Sequence, residues 1–163
     1  MLDATAARVA AGHLLSRRSW TARDLQTRLR RRGAPPDVAA AVVTDLAARG
    51  YVDDAAFARQ WVAARAGRGY GAARLRAELQ VRGVAPELID HALAFLAGDA
   101  QLERARMAAR RRLAALARVE PARAATRLRD HLLRRGFSGS TVARVVREVL
   151  AGREDGAEAD PRE

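Results

Sequence analysis

The chain has 163 residues, with 30 basic side chains, 19 acidic ones, no cysteine and a formal net charge of +11. Every basic residue other than histidine is arginine, and about a quarter of the chain is alanine, the strongest helix former. This composition favours an all-helical protein. The lack of cysteine excludes disulfides, a thiolate nucleophile and zinc sites with sulfur ligands.

The first residues lack the features of a targeting segment. Asp3 lies where a signal peptide carries positive charge, and no apolar run approaches the ~20 residues needed to cross a bilayer. We therefore expect a cytoplasmic protein that does not contact a membrane.

A repeated pattern organises the chain. Three segments align without gaps, namely Leu25 to Val38, Leu75 to Leu88 and Leu128 to Thr141. Each has leucines eight and four residues before a glycine, and an arginine directly before that glycine: Leu25, Leu29, Arg32 and Gly33; Leu75, Leu79, Arg82 and Gly83; Leu128, Leu132, Arg135 and Gly136. This spacing predicts a helix with one apolar face that ends at a glycine in the left-handed conformation.

Each leucine segment is flanked by two further helical patterns. The preceding helices are predicted at Ala4 to Arg17, Asp54 to Ala66 and Asp99 to Arg118, and amphipathic helices follow each glycine. Nine helices in three groups predict an all-α fold, an elongated tandem array of three three-helix repeats. The repeats span residues 4–50, 51–98 and 99–151, and we expect an acidic, disordered tail at 152–163.

Charge is unevenly distributed among these repeats. The first carries 9 arginines and 4 acids, the second 6 and 5, and the third 13 and 5, counting from residue 1 to residue 151. A polyanionic partner is therefore expected to contact the two terminal repeats more strongly than the middle one.

Arginines are predicted to form stripes opposite the apolar helix faces. In the third repeat, Arg104, Arg111 and Arg118 lie opposite Leu113, with Arg110 at the margin, and the next helix places Arg123, Arg127 and Arg134 opposite its leucines. The first repeat places Arg23, Arg30 and Arg31 in the same way. The plain alternative is a solvated face, but guanidinium groups suit phosphate or carboxylate ligands.

Other conspicuous residues have structural explanations. Asp53 and Asp54 are interpreted as a helix cap and a favourable dipole contact rather than a paired carboxylate site. The glycine-rich Gly67 to Gly71 segment lacks the lysine of a phosphate-binding loop, so we interpret it as a turn. Trp20 and Tyr70 are expected to pack against the leucine pairs rather than stack on bases. The histidines, His13, His91 and His131, are too scattered to predict a metal site, and no catalytic group is identified.

The sequence resembles the RecX family of regulatory proteins. The resemblance extends from about Ala6 to Leu150. It rests on the runs Ser19 to Leu25, Leu29 to Gly33 and Gly50 to Ala58, and on Trp61, Arg65, Gly69-Tyr70-Gly71, Arg74-Leu75, Glu78-Leu79 and Gly83-Val84. Arg123 stands where the first two repeats have Trp20 and Tyr70.

This resemblance implies a non-enzymatic modulator of RecA that needs no cofactor. It further implies a curved helical body in the groove of the RecA–DNA filament, which inhibits ATP hydrolysis and strand exchange. We expect a monomer whose partners are the RecA filament and the phosphates of DNA, especially single-stranded DNA. The alternative is a helical nucleic-acid-binding module without a role toward RecA.

Overall fold

The computed structural model describes the backbone of residues 2–158 and the side chains of residues 2–153. Over these residues the protein is all-helical, with nine α-helices, one 3₁₀ turn at Ala94–Leu96 and no strand. The helices are α1 (Ala4–Leu15), α2 (Ala22–Arg31), α3 (Pro36–Ala48), α4 (Asp54–Ala66), α5 (Ala72–Val81), α6 (Pro86–Leu93), α7 (Asp99–Ala114), α8 (Pro121–Arg134) and α9 (Gly139–Glu158). The predicted all-α class is confirmed.

The helices separate into two compact units. One unit contains the chain up to Val62 together with Ala77–Ala92, and the other contains Ala63–Arg76 and the chain from Leu93 onward. The division falls within the middle repeat, so each unit holds one terminal repeat and part of α4 and α5. The bounds predicted for the three repeats stay a prediction.

Each unit is built around a core of leucine, valine and alanine. In the first unit, α1, α2 and α3 pack around Leu25 and Leu29, both fully buried. In the second, α7, α8 and α9 pack around Leu128 and Leu132, which are also fully buried. Burying a leucine contributes about 1.5–3 kcal/mol, so these pairs are major contributors to core stability.

The predicted glycine ends are confirmed in all three repeats. Gly33, Gly83 and Gly136 have φ values of 95°, 76° and 89°, which place them in the left-handed region. The residue after each glycine donates its N–H to the carbonyl of Leu29, Leu79 or Leu132. These bonds satisfy carbonyls that a helix end would otherwise leave without a partner.

In the second unit, the start of α5 lies directly against the end of α8. The N–H of Gly71 donates to the Arg135 carbonyl at 2.7 Å, and the N–H of Ala73 donates to the Gly136 carbonyl at 3.2 Å. A helix start has free N–H groups and a helix end has free carbonyls, so the two ends satisfy each other. The approach leaves no room for a side chain, since a Cβ on Gly136 would lie 2.5 Å from the backbone nitrogen of Arg74.

The first unit contains the corresponding contact between α2 and the end of α5. Here the buried Thr21 hydroxyl donates to the Arg82 carbonyl at 2.8 Å and accepts from the N–H of Asp24 at 3.1 Å. The stem of Arg23 lies against Gly83, where a Cβ would come within 2.7 Å of the Arg23 Cβ. The same helix-start to glycine-end contact therefore occurs once in each unit.

The two adjacent aspartates cap two different helices. Asp53 accepts from the N–H of Ala56 at 2.8 Å and so caps α4, as predicted. Asp54 instead accepts from the N–H of Ala22, the first residue of α2, at 2.8 Å. Burial raises the pKa of Asp54, and the nearby charges of Asp53 and Asp24 raise it further, while the Ala22 hydrogen bond lowers it.

Three helix ends differ from the prediction. Helix α1 ends at Leu15 rather than Arg17. Helix α7 ends at Ala114 rather than Arg118, because the chain tightens into a turn that buries Leu116. Helix α9 runs to Glu158, so residues 152–158 are helical where a disordered tail was predicted. Arg153 anchors this extension by donating to the Ala117 carbonyl at 2.8 Å. The rest of the predicted tail, 159–163, lies outside the described residues.

The glycine contact in the second unit predicts unequal effects for two matched substitutions. Gly136→Ala and Gly33→Ala both force an alanine into a positive φ, at a cost of about 1–2 kcal/mol each. A Cβ at Gly33 meets nothing within 4 Å, whereas at Gly136 it meets Arg74. Gly136→Ala should therefore lose about 1–3 kcal/mol more in the free energy of unfolding, measured in urea. Equal losses would show that the close approach contributes nothing.

The second prediction concerns the carboxyl group that caps α2. Asp54→Asn keeps an oxygen for the Ala22 N–H and removes a partly desolvated charge. The free energy of unfolding at pH 7 should therefore change by less than about 1 kcal/mol. Asp54→Ala removes the acceptor and should cost about 0.5–2 kcal/mol more than the asparagine variant.

The control compares how the stability of the wild-type protein and of the Asp54→Asn variant depends on pH. The folded-state pKa of Asp54 is raised, so the wild-type protein gains stability as pH falls through that pKa toward the unfolded value. The asparagine variant lacks this gain, and its stability relative to wild type should decline between pH 7 and pH 4. A constant difference over that range would contradict the assignment.

Candidate nucleic-acid interface

The predicted arginines lie at the surface, with one exception. Nine of the ten are exposed, and none of these nine forms an ion pair with a carboxylate in the described part of the chain. They are Arg23, Arg30, Arg31, Arg110, Arg111, Arg118, Arg123, Arg127 and Arg134. Their charges are therefore available to an outside partner.

Arg104 is the exception, because its side chain is half-buried. Its guanidinium lies over the Phe95 ring at 5.6 Å, and its Nη1 is buried without a hydrogen-bond partner among the described residues. Arg118 also departs from the predicted stripe, since it lies in the turn beyond the end of α7. The stripe along α7 is therefore shorter than the sequence indicated, and Arg111 is its exposed member on the predicted face.

Helix α8 matches the predicted arrangement. Leu128 and Leu132 are buried, while Arg123, Arg127 and Arg134 are exposed on the other side. Glu120 caps this helix by accepting from the N–H groups of Ala122 and Arg123, both at 3.0 Å, and these bonds lower its pKa. The Glu120 carboxylate is thereby held at the helix start, and the arginine face of α8 stays positive.

Nearby arginines on α7 and α9 serve the fold instead. Arg106 and Arg144 donate to Glu148, at 2.8 Å and 2.9 Å, and hold the pKa of that carboxyl at about 2. Arg110 lines the same shallow cavity as this cluster, of about 380 Å³, beside Arg153. Positive charge in the third repeat is thus divided between arginines paired with carboxylates and arginines left open.

The first unit has its own basic cavity, of about 600 Å³. Arg31 borders it, as do four arginines outside the predicted stripes: Arg17, Arg18, Arg28 and Arg32. Asp24 is the single acid among the lining residues. The sequence signal for this cluster was the pair Arg17-Arg18 directly before Trp20, which lies in the wall of the same cavity.

Trp20 packs against the leucine core as predicted, whereas Tyr70 contacts arginine side chains that the sequence did not indicate. Trp20 lies partly buried against the core that contains Leu25 and Leu29, and its Nε1 donates to the Leu14 carbonyl at 3.1 Å. Around the Tyr70 ring lie three guanidinium groups, those of Arg65 and Arg74 at 4.5 Å and that of Arg135 at 4.9 Å from its centroid. Tyr70 therefore organises arginine side chains as well as filling space.

The sequence pattern assigned Arg135 only to the helix end and did not indicate its place in a third cavity. That cavity lies in the second unit and is also lined by Arg111. Its other charged or titratable members are Arg68, Arg112 and His131, which come from three separate segments. The spacing of arginines along a single helix could not have predicted this cluster, because it forms only when α7, α8 and the turn before α5 pack together.

The described residues offer neither a metal site nor a membrane span. In that part of the chain, no group of three or more histidine, aspartate or glutamate side chains is placed to hold a metal ion. No helix there is long and apolar enough to cross a membrane.

Comparison with known proteins identifies the family. Residues 53–93 match the family model for the second three-helix domain of RecX, and residues 99–146 match the model for the third. The regulatory protein RecX of Mycobacterium avium (strain 104) is 40% identical over 148 residues, covering 89% of this chain and 85% of that protein. The regulatory protein RecX of Thermobifida fusca (strain YX) is 39% identical over 155 residues, covering 94% and 83% respectively.

Solved structures agree with the fold. The crystal structure of RecX from Lactobacillus salivarius superposes with a TM-score of 0.79 at 18% identity, covering 89% of this chain and 95% of that one. A second crystal structure of a regulatory protein RecX gives the same TM-score at 22% identity, covering 87% and 70%. With the sequence identities to the bacterial relatives, these findings confirm the resemblance, and the chain belongs to the RecX family of regulatory proteins.

Proposed function

We propose that the protein is a cytoplasmic negative regulator of the RecA recombinase. It binds the RecA–DNA filament and inhibits ATP hydrolysis and strand exchange, without chemistry of its own. Membership of the RecX family over nearly the whole chain is the observation that carries this proposal.

The exposed arginines supply the contacts in this proposal. Arg23, Arg30 and Arg31 in the first repeat, with the α8 face in the third, present guanidinium groups that carry no carboxylate partner among the described residues. Guanidinium forks bind phosphate or carboxylate in a bidentate manner, which suits both DNA and acidic protein surfaces. Binding as a monomer would leave both terminal repeats open to the filament.

A helical nucleic-acid-binding module without a role toward RecA is the second candidate. It is favoured by the concentration of open arginines in the third repeat, which would bind phosphates whether or not RecA is present.

The two candidates are separated by RecA ATPase activity on single-stranded DNA that RecA has already saturated. We expect inhibition at substoichiometric amounts of this protein, because a filament regulator acts on many RecA subunits per bound molecule. Inhibition that appears only when naked DNA is sequestered would reject the RecA role and leave the nucleic-acid-binding module.

The same assay locates the contact on α8. A triple variant Arg123→Glu, Arg127→Glu and Arg134→Glu should remain folded, because glutamate and arginine have similar helix propensities, and should weaken inhibition more than tenfold. The matched control changes Arg59, Arg129 and Arg147 to glutamate, three exposed arginines outside the predicted stripes. Equal losses in both variants would mean that net charge acts without a located surface.

A further inference from the structure

Four of the seven residues that line a cavity of about 260 Å³ in the second unit are arginines. It lies among α7, α8 and the turn between α4 and α5. Its lining residues are Arg68, Gly69, Ala108, Arg111, Arg112, His131 and Arg135. There is no carboxylate among them, and none of the four arginines forms an ion pair within the described residues.

Arg135 is held in place at the wall of this cavity. Its Nη1 donates to the Arg68 carbonyl at 2.6 Å, with the Gly69 carbonyl 3.5 Å away, and its guanidinium lies over the Tyr70 ring. The side chain is half-buried. A cation fixed in this way loses little conformational entropy when an anion binds.

The equivalent arginine in the first unit shows what is unusual here. Arg82 also precedes a helix-ending glycine and also lies over an aromatic ring, that of Trp61, at 4.2 Å. Asp24, however, accepts from the Arg82 guanidinium at 2.9 Å and offsets its charge. When the leucine pairs are aligned, the residue that corresponds to Asp24 is Arg74. The second unit therefore keeps the stacked arginine but replaces its neutralising carboxylate with another positive charge.

Two further features keep the cavity open and positive. Gly69 has φ +81°, and a Cβ there would lie 3.3 Å from the Arg135 Nη1 and 3.6 Å from the Ala108 Cβ, so a larger residue would crowd the site. Arg111 and Arg112 on α7 are exposed and can turn toward a ligand. Clustered like charges repel one another, and a bound anion relieves that repulsion.

We propose that this cavity binds one internal phosphodiester group of single-stranded DNA. Arg135 supplies the fixed cation, and Arg111 and Arg112 close on the phosphate oxygens from α7. The inference rests on the proposed contact with DNA and is independent of any effect on RecA.

The lining favours a nucleic acid over an acidic protein segment. Protein interfaces depend on buried aromatic or large aliphatic anchors, and this cavity offers only Gly69 and Ala108 as apolar members. Phosphate contacts, in contrast, come largely from arginine and other polar donors. A single strand can also place one phosphate into a recess more easily than a rigid duplex can.

His131 provides a readout specific to this cavity. Burial lowers its pKa, and the positive charges of Arg135, Arg112 and Arg134 lower it further, with Arg68 and Arg111 lining the same space. A bound phosphodiester offsets those charges and raises the His131 pKa. Neither a phosphodiester nor thymine titrates between pH 5 and 8, so binding of oligothymidylate should tighten as pH falls through the His131 pKa.

The test measures binding of the full-length protein to fluorescent oligothymidylate without terminal phosphates and without RecA. Arg111→Gln with Arg112→Gln removes two exposed groups and should leave the fold intact. We expect at least a tenfold loss of affinity and a salt slope shallower by about 0.7, the value for one phosphate. The matched control, Arg129→Gln with Arg147→Gln, should lose less than about threefold. His131→Gln should abolish most of the pH dependence.

Each contrary outcome has a distinct meaning. If the Arg111 and Arg112 variant binds like the control variant, the cavity is not the phosphate site, although DNA contact by the stripe arginines on α2 and α8 survives. If the wild-type protein does not bind oligothymidylate at all, the proposed DNA contact fails and this inference fails with it. Binding of oligothymidylate that requires a 5′-phosphate would also overturn the proposal. So would the finding that binding of oligoglutamate depends on Arg111 and Arg112 while binding of oligothymidylate does not.

Discussion

In each unit, the first residues of one helix lie directly against the glycine that ends another, and the other features of the candidate site depend on this contact. The contact joins unsatisfied N–H groups at a helix start to unsatisfied carbonyls at a helix end, through Gly71 and Ala73 in one unit and through the Thr21 hydroxyl in the other. It requires glycine twice over at Gly83 and Gly136, for the positive φ and for the missing Cβ. The backbone of the arginine just before each of these two glycines is thereby fixed, because its carbonyl accepts the incoming hydrogen bond, and its side chain is held over an aromatic ring.

The same architecture then gives two different electrostatic results. Arg82 and Arg135 both lie over an aromatic ring, but Asp24 neutralises the first and no described carboxylate pairs with the second. The Arg82–Asp24 ion pair is half-buried, with 29% of each side chain exposed, and it helps to hold the first unit together. It also decides whether the fixed arginine is available to an outside anion. In this way the same helix-start to glycine-end contact serves packing in the first unit and, in our proposal, anion binding in the second.

The sequence predicted the elements that depend on local rules. The leucine pairs, the glycine ends and the α8 arginines follow from helical periodicity and from the conformations that glycine alone adopts readily, and each lies where it was expected. The end of α7 before Arg118 was missed because the turn is set by the burial of Leu116, a tertiary effect. The second role of Asp54 and the cavity around Arg135 were missed for the same reason, since their partners are distant in sequence.

The proposed phosphate site depends on Arg135, a fixed arginine of the second unit that has no neutralising carboxylate among the described residues. A crystal structure of the protein with oligothymidylate tests it most directly. We expect a phosphodiester in the cavity, with its oxygens within hydrogen-bond distance of Arg135 and of Arg111 or Arg112, and no phosphate on Arg82. A strand that passes over other surfaces and leaves the cavity to solvent would contradict it.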